Sequence, residues 1–121
     1  MPYTYELQRK EGYALLIASG EIESVEDLVV LGQSMERLAD KLDCWRFLID
    51  ERSVVMRIDP LDLTVFAENR IDEPRTGLRV AVIYTPENLI RFHWVETILQ
   101  NRSIPYRQFS SFKEAEQWLM S

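Results

Sequence analysis

The sequence predicts an α/β domain: a mostly parallel five-stranded sheet with an antiparallel N-terminal edge strand and four helices. Three observations carry this. Short apolar runs alternate with longer segments whose apolar residues recur every three or four positions. Those longer segments are crossovers, which join parallel strands and are right-handed in about 98% of cases. The chain opens instead with two strand-like runs separated only by the turn Arg9-Lys10-Glu11-Gly12, as a hairpin does.

Taken in order, Tyr3 to Gln8 alternates bulky and polar residues, and Tyr13-Ala14-Leu15-Leu16-Ile17-Ala18 is almost continuously apolar, as in a buried strand. Ser24 with Asp27 has the form of a capping box, and Leu28, Leu31, Met35, Leu38 and Leu42 follow at helical spacing. Trp45 to Asp50 reads as the third strand, with Trp45, Phe47 and Ile49 on one face and Arg46, Leu48 and Asp50 on the other. A loop through residues 53–58 leads to Asp59-Pro60, an N-cap and a first-turn proline, and to a second helix with Leu63, Phe66 and Ala67 on one side. Residues 72–77 interrupt the pattern before Leu78 to Tyr84, a β-branched run expected to be the most central strand. Thr85-Pro86-Glu87 repeats the cap and proline and opens a helix to about Asn101. Ser103-Ile104-Pro105 ends it, Tyr106 to Phe109 is a short strand, and Ser111 with Glu114 caps a last helix bearing Phe112, Ala115, Trp118 and Leu119. Strands added successively on one side, with right-handed crossovers, place the helices predominantly on one sheet face. The other face is then only partly covered.

The 121 residues form one domain, 1–121, without linker or repeat. Twenty acidic against fourteen basic residues leave a net charge of −6, which opposes binding to nucleic acid. No apolar run approaches the ~18 residues of a membrane span, and the first residues lack the order of a signal peptide. A cytoplasmic protein is expected, with membrane contact at most peripheral. The lone cysteine, Cys44, makes neither a disulfide nor a zinc site, and the scattered glycines form no phosphate-binding loop. Neither cofactor nor metal is expected.

The run Arg79 to Tyr84, the helix ending in Glu96 and Asn101-Arg102, Tyr106 to Phe109, Glu114-Ala115, Trp118-Leu119 and Leu48-Ile49-Asp50 together resemble the SpoIIAA-like family, small bacterial relatives of STAS domains. The resemblance implies a βα superhelical fold and a regulatory module that binds a partner or a ligand, lipid-like in some members. Anti-sigma-factor antagonists of that kind carry a phosphorylatable serine at the start of the helix after the third strand. Here the stretch Met56 to Asp62 has none, which argues against the phosphoserine switch; Ser53, the nearest hydroxyl, reads as an ordinary loop serine.

Candidate catalytic groups are sparse. His93 has Glu96 and Thr97 as helical neighbours but no nucleophile motif, and reads as a surface histidine. Asp50 with Glu51 is the other acid–base seed. Cys44, beside Asp43, reads as a packing thiol, and the carboxylates Glu21, Glu23, Glu26 and Asp27 sit where a helix N-terminus favours negative charge. No enzyme is expected. Two features call for a binding role instead. The third crossover helix carries Leu89, Ile90, Phe92, Trp94, Val95, Ile98 and Leu99 around more than half its circumference, and Arg52 to Ile58 is apolar between arginines. The expectation is a cleft walled by Val54, Met56, Phe66, Phe92 and Trp94, with Arg52 or Arg57 meeting the acidic headgroup of a lipid-like molecule. The alternative is a protein-interaction module, either a homodimer through Trp94 and Ile98 or a regulator docking a protein partner there.

Overall fold

In the computed structural model, which describes residues 2–68 and 79–121, the elements run β1 (Thr4–Lys10), β2 (Tyr13–Ile22), α1 (Val25–Leu42), β3 (Arg46–Met56), α2 (Pro60–Glu68), β4 (Arg79–Ile83), α3 (Pro86–Asn101), β5 (Tyr106–Phe109) and α4 (Phe112–Leu119). The expected break at 72–77 and the start of the fourth strand at Leu78 lie outside the described residues. The sheet order is β1-β2-β3-β4-β5; β1 pairs antiparallel with β2 and every other pairing is parallel. Each strand is thus added beside its predecessor.

The middle strand is β3, which corrects the expectation that the fourth strand is the most central. The apolar character of β4 reflects burial on both faces: Val80 and Val82 pack against one core, Ala81 and Ile83 against the other. Residues 53–56 are not a loop either. β3 continues through them because β2 continues to Ile22 and supplies a paired neighbour, with Gly20 beside Val54 and Ile22 beside Met56. Ser53, read as a loop serine, pairs with Ser19.

That pairing is shifted. Ile17 lies opposite Asp50 but Ser19 opposite Ser53, so Glu51 and Arg52 together face Ala18 alone. Such a bulge displaces side-chain alternation by one residue. Phe47 and Ile49 point into the larger core upstream of it, and Val54 and Met56 point into the same core downstream.

The larger core lies between the sheet and α1, α2 and α3. It contains Leu16, Ile22, Phe47, Leu63, Phe92 and Val95, with Leu28, Met35, Leu38 and Leu42 of α1 half-buried against it. The smaller core lies on the opposite face, where Ala115 and Leu119 of α4 meet Leu15, Leu48, Ala81, Ile83 and Phe109. Helix starts follow the predicted caps: Asp27 accepts from the Glu23 and Ser24 amides at 3.0 and 3.3 Å, Asp59 from Leu61 at 2.8 Å, Thr85 from Asn88 at 3.3 Å and Ser111 from Glu114 at 3.3 Å. The β5 edge is tied to α3, since Glu96 accepts from the Gln108 amide at 2.6 Å and Gln100 donates to the Tyr106 carbonyl at 3.2 Å.

One glycine is required by a close approach. Gly20 has φ +102°, and a Cβ there would lie 2.2 Å from the Pro2 carbonyl oxygen. Its bareness lets Pro2 and Tyr3 settle against the carboxyl end of β2, where Pro2 bridges to Glu21.

Candidate functional site

The open parallel sheet draws attention to the carboxyl ends of its strands, the usual ligand side of such folds. The expected site residues cluster there only in part. Val54, Met56 and Phe92 are buried in the larger core, Phe66 is half-buried on α2, and Trp94 and Ile98 are half-buried against that core from α3. Trp94 also donates its indole N–H to the Arg91 carbonyl at 3.1 Å. The two arginines expected to meet a headgroup are both engaged. Arg52 folds back on Asp50 through two side-chain bonds of 2.9 and 2.7 Å, while its amide donates to the same carboxylate at 3.1 Å. The hydrogen bond from Arg52 holds the Asp50 carboxyl below the ordinary carboxylate range. Arg57 reaches Glu21 at 3.4 Å, a longer and more exposed pair.

Between these arginines the bulge carries a residue that sequence reasoning undervalued. Glu51 is 5% exposed, and its Oε2 has no hydrogen-bond partner among the described residues. Burial pushes its carboxyl up to about 7, and the adjacent Asp50 charge pushes the same way. The Tyr3, Tyr84 and Tyr106 hydroxyls are all raised, first by burial, and each also feels the Glu51 charge. The Tyr3 hydroxyl is buried without a partner, as is Oε1 of Gln108, whose Nε2 donates to the Phe92 carbonyl at 3.0 Å and the Tyr106 hydroxyl at 3.1 Å. The result is a polar cluster under the helices with a carboxyl that lacks a counter-charge among the described residues. A signal for it existed: Phe47 and Ile49 are out of phase with Val54 and Met56, and only an extra residue in the strand reconciles the two sets.

Two clefts are open. One, of about 290 Å³, runs from Arg9, Lys10 and Gly12 of the hairpin to Asp43, Cys44 and Trp45. The other, of about 750 Å³, lies between the start of the chain and α1, with Tyr3, Tyr5, Val30 and Leu31 as its apolar lining and Glu21, Glu23 and Asp27 as its carboxylates. None of the expected site residues lines either cleft. Apolar side chains are instead exposed on the three helices: Ile90 of α3 is 82% exposed and Leu61 of α2 69%, with Val29 of α1 and Val65 of α2 also exposed.

The acid–base seeds do not assemble into a catalytic constellation among the described residues. His93 is exposed on α3, while Glu96 is bonded to the β5 backbone. Asp50 is bound to Arg52, and Glu51 turns into the larger core's side of the sheet. No group of three His, Cys, Asp or Glu residues is placed to hold a metal ion among the described residues, and no described helix is long and apolar enough to cross a membrane.

The architecture is that of known proteins. The chain is similar to an anti-sigma factor antagonist from Mycobacterium paratuberculosis, at 15% identity over 98% of this chain and 95% of that one, with a TM-score of 0.65. It is also similar to a DUF3478-family protein from Shewanella loihica PV-4, at 19% identity over 97% and 93% of the two chains, with a TM-score of 0.53. The latter is described as having a SpoIIAA-like fold, and that is the fold of this chain. No protein-family model and no curated protein matches the sequence.

Proposed function

We propose that this chain is a non-enzymatic regulatory module that works by docking a protein partner on the outer surface of the α1–α2–α3 layer. The SpoIIAA-like fold is consistent with a regulatory module. The carrying observation is the exposure of Leu61 and Ile90 on adjacent helices, with Val29 exposed on the neighbouring α1. Large apolar side chains grouped on a surface are the usual mark of an interface. Similarity to a protein named as an anti-sigma factor antagonist supports a protein as the occupant. The lipid-like ligand expected from the sequence draws less support, because Val54, Met56 and Phe92 fill the core and Arg52 is paired with Asp50.

The test is proximity labelling in the native host, followed by calorimetry with the purified partner. The double substitution Leu61→Asp, Ile90→Asp should weaken binding about tenfold or more, as loss of apolar anchors does, with the melting temperature nearly unchanged. Unaltered affinity in that variant would refute docking on this surface. Native mass spectrometry in parallel separates the alternatives, since a co-purified lipid would restore the ligand reading. A mass of two chains, abolished by Trp94→Glu, would restore the homodimer.

A further inference from the structure

We propose that Glu51 is a proton-controlled latch on the Pro2–Tyr3 segment: neutral, it lets Tyr3 seat over the carboxyl end of β2 and β3, and ionised it drives Tyr3 off so that the bulge opens onto the groove beside α1. The geometry has three parts. Glu51 is held on the bulge, 5% exposed, with an oxygen that no described residue satisfies. Tyr3 packs against the same core, feels the Glu51 charge, and has its own hydroxyl buried without a partner among the described residues, while also lining the 750 Å³ groove. The segment that carries Tyr3 lies outside the β1 ladder and is tied down by the Pro2–Glu21 bridge and the close approach to Gly20.

The charge environment fixes the direction. Asp50 on β3 opposes ionisation, and the groups coupled to Glu51 from β1, β4 and β5 are the tyrosines Tyr3, Tyr84 and Tyr106, neutral throughout the physiological range. From α3, Glu96 faces Tyr106, adding a second negative group rather than a counter-charge. No titratable side chain of α1 or α2 among the described residues contributes at Glu51. A buried carboxylate without a cation is strongly disfavoured against its hydrated form. Hydration is reached by moving a piece that lies outside the strand ladders, and Pro2–Tyr3 is such a piece, held by the Pro2–Glu21 bridge. With an ordinary value of 4.5 in the open form and about 7 in the closed form, the closed-to-open ratio falls on the order of a hundredfold between pH 5 and pH 8.

The experiment follows the Glu51 carboxyl carbon and the Tyr3, Thr4 and Glu21 amides by NMR from pH 5 to 8.5, in a His93→Gln background that removes the imidazole. The expected result is one transition shared by the carboxyl and these amides, with a midpoint near neutrality, and its absence from the amides in Glu51→Gln. Amides that stay still while the carboxyl titrates would overturn the latch, as would the same amide transition in Glu51→Gln. A second variant does not depend on the first. In Gly20→Ala the new methyl collides with Pro2, so the segment is displaced at every pH and the Glu51 midpoint should fall by at least one pH unit toward the ordinary value. An unchanged midpoint there contradicts the proposal.

Discussion

The two faces of the sheet are built differently. On one, the eight-residue α4 buries Ala115 and Leu119 completely and is fastened by polar contacts: Tyr13 donates to Glu116 at 2.5 Å, and Arg79 donates to the Trp118 carbonyl at 2.9 Å and the Ser121 carbonyl at 3.0 Å while lying over the Trp118 ring. On the other, the eighteen-residue α1 buries only Ala39, and α1, α2 and α3 cover a core that includes an unpaired carboxyl while presenting apolar side chains outward. The difference separates two tasks. The α4 face supplies cohesion; the three-helix face retains unsatisfied groups and uncommitted surface, the features expected where a molecule changes state or meets another.

The comparison breaks or sharpens as follows, in order of expected effect. Leu119→Ala should cost about 2–5 kcal/mol by chemical denaturation, because a fully buried leucine leaves a cavity, whereas Leu38→Ala on α1 should cost about 1–2 kcal/mol since it is already half wet. Equal losses would erase the asymmetry. Next, Glu51→Gln should stabilise the protein at pH 8 by on the order of 2 kcal/mol. The sign follows from a carboxyl raised from 4.5 to about 7 in the folded state. The unfolded chain ionises first, so the wild type loses stability as pH rises from about 4.5 to 7 and keeps that loss above it, while at pH 4 the two proteins converge. Tyr13→Phe removes the bond to Glu116 and should cost about 1 kcal/mol in thermal unfolding. Last, Leu61→Asp should change stability by less than about 0.5 kcal/mol, its effect confined to partner binding.

Much of this architecture was legible because local signals and tertiary outcome agree. Ser24-Asp27, Asp59-Pro60, Thr85-Pro86 and Ser111 mark helix starts that the structure reproduces, and the limits of β5 coincide with the short strand expected at Tyr106 to Phe109. The strand order followed from chirality and short connections. What escaped was non-local. Residues 53–56 become strand only because Ser19 to Ile22, 34 positions earlier in the chain and in no local pattern, extend alongside them. The same pairing buries Val54 and Met56, which in a loop would have been free to line a cleft. The apolar circumference of α3, expected to exceed what the fold could bury, is mostly absorbed: Phe92 and Val95 are buried, Leu89, Trp94, Ile98 and Leu99 pack half-buried, and Ile90 alone of these is exposed. Glu51 escaped for another reason, since an acidic residue flanked by Asp50 and Arg52 carries every local mark of solvent.

The extra residue in β3 also acts as a frame marker. Removing Arg52 would restore strict alternation from Phe47 onward with Val54 and Met56 still inward and Val55 still outward, whereas Phe47 to Met56 at its present length cannot alternate strictly and keep both Phe47 with Ile49 and Val54 with Met56 in one core. Chains of this architecture that lack the extra residue should therefore carry the same inward side chains one position earlier in the strand after Asp50. Sequence comparison across that stretch is meaningful only after the phase has been matched.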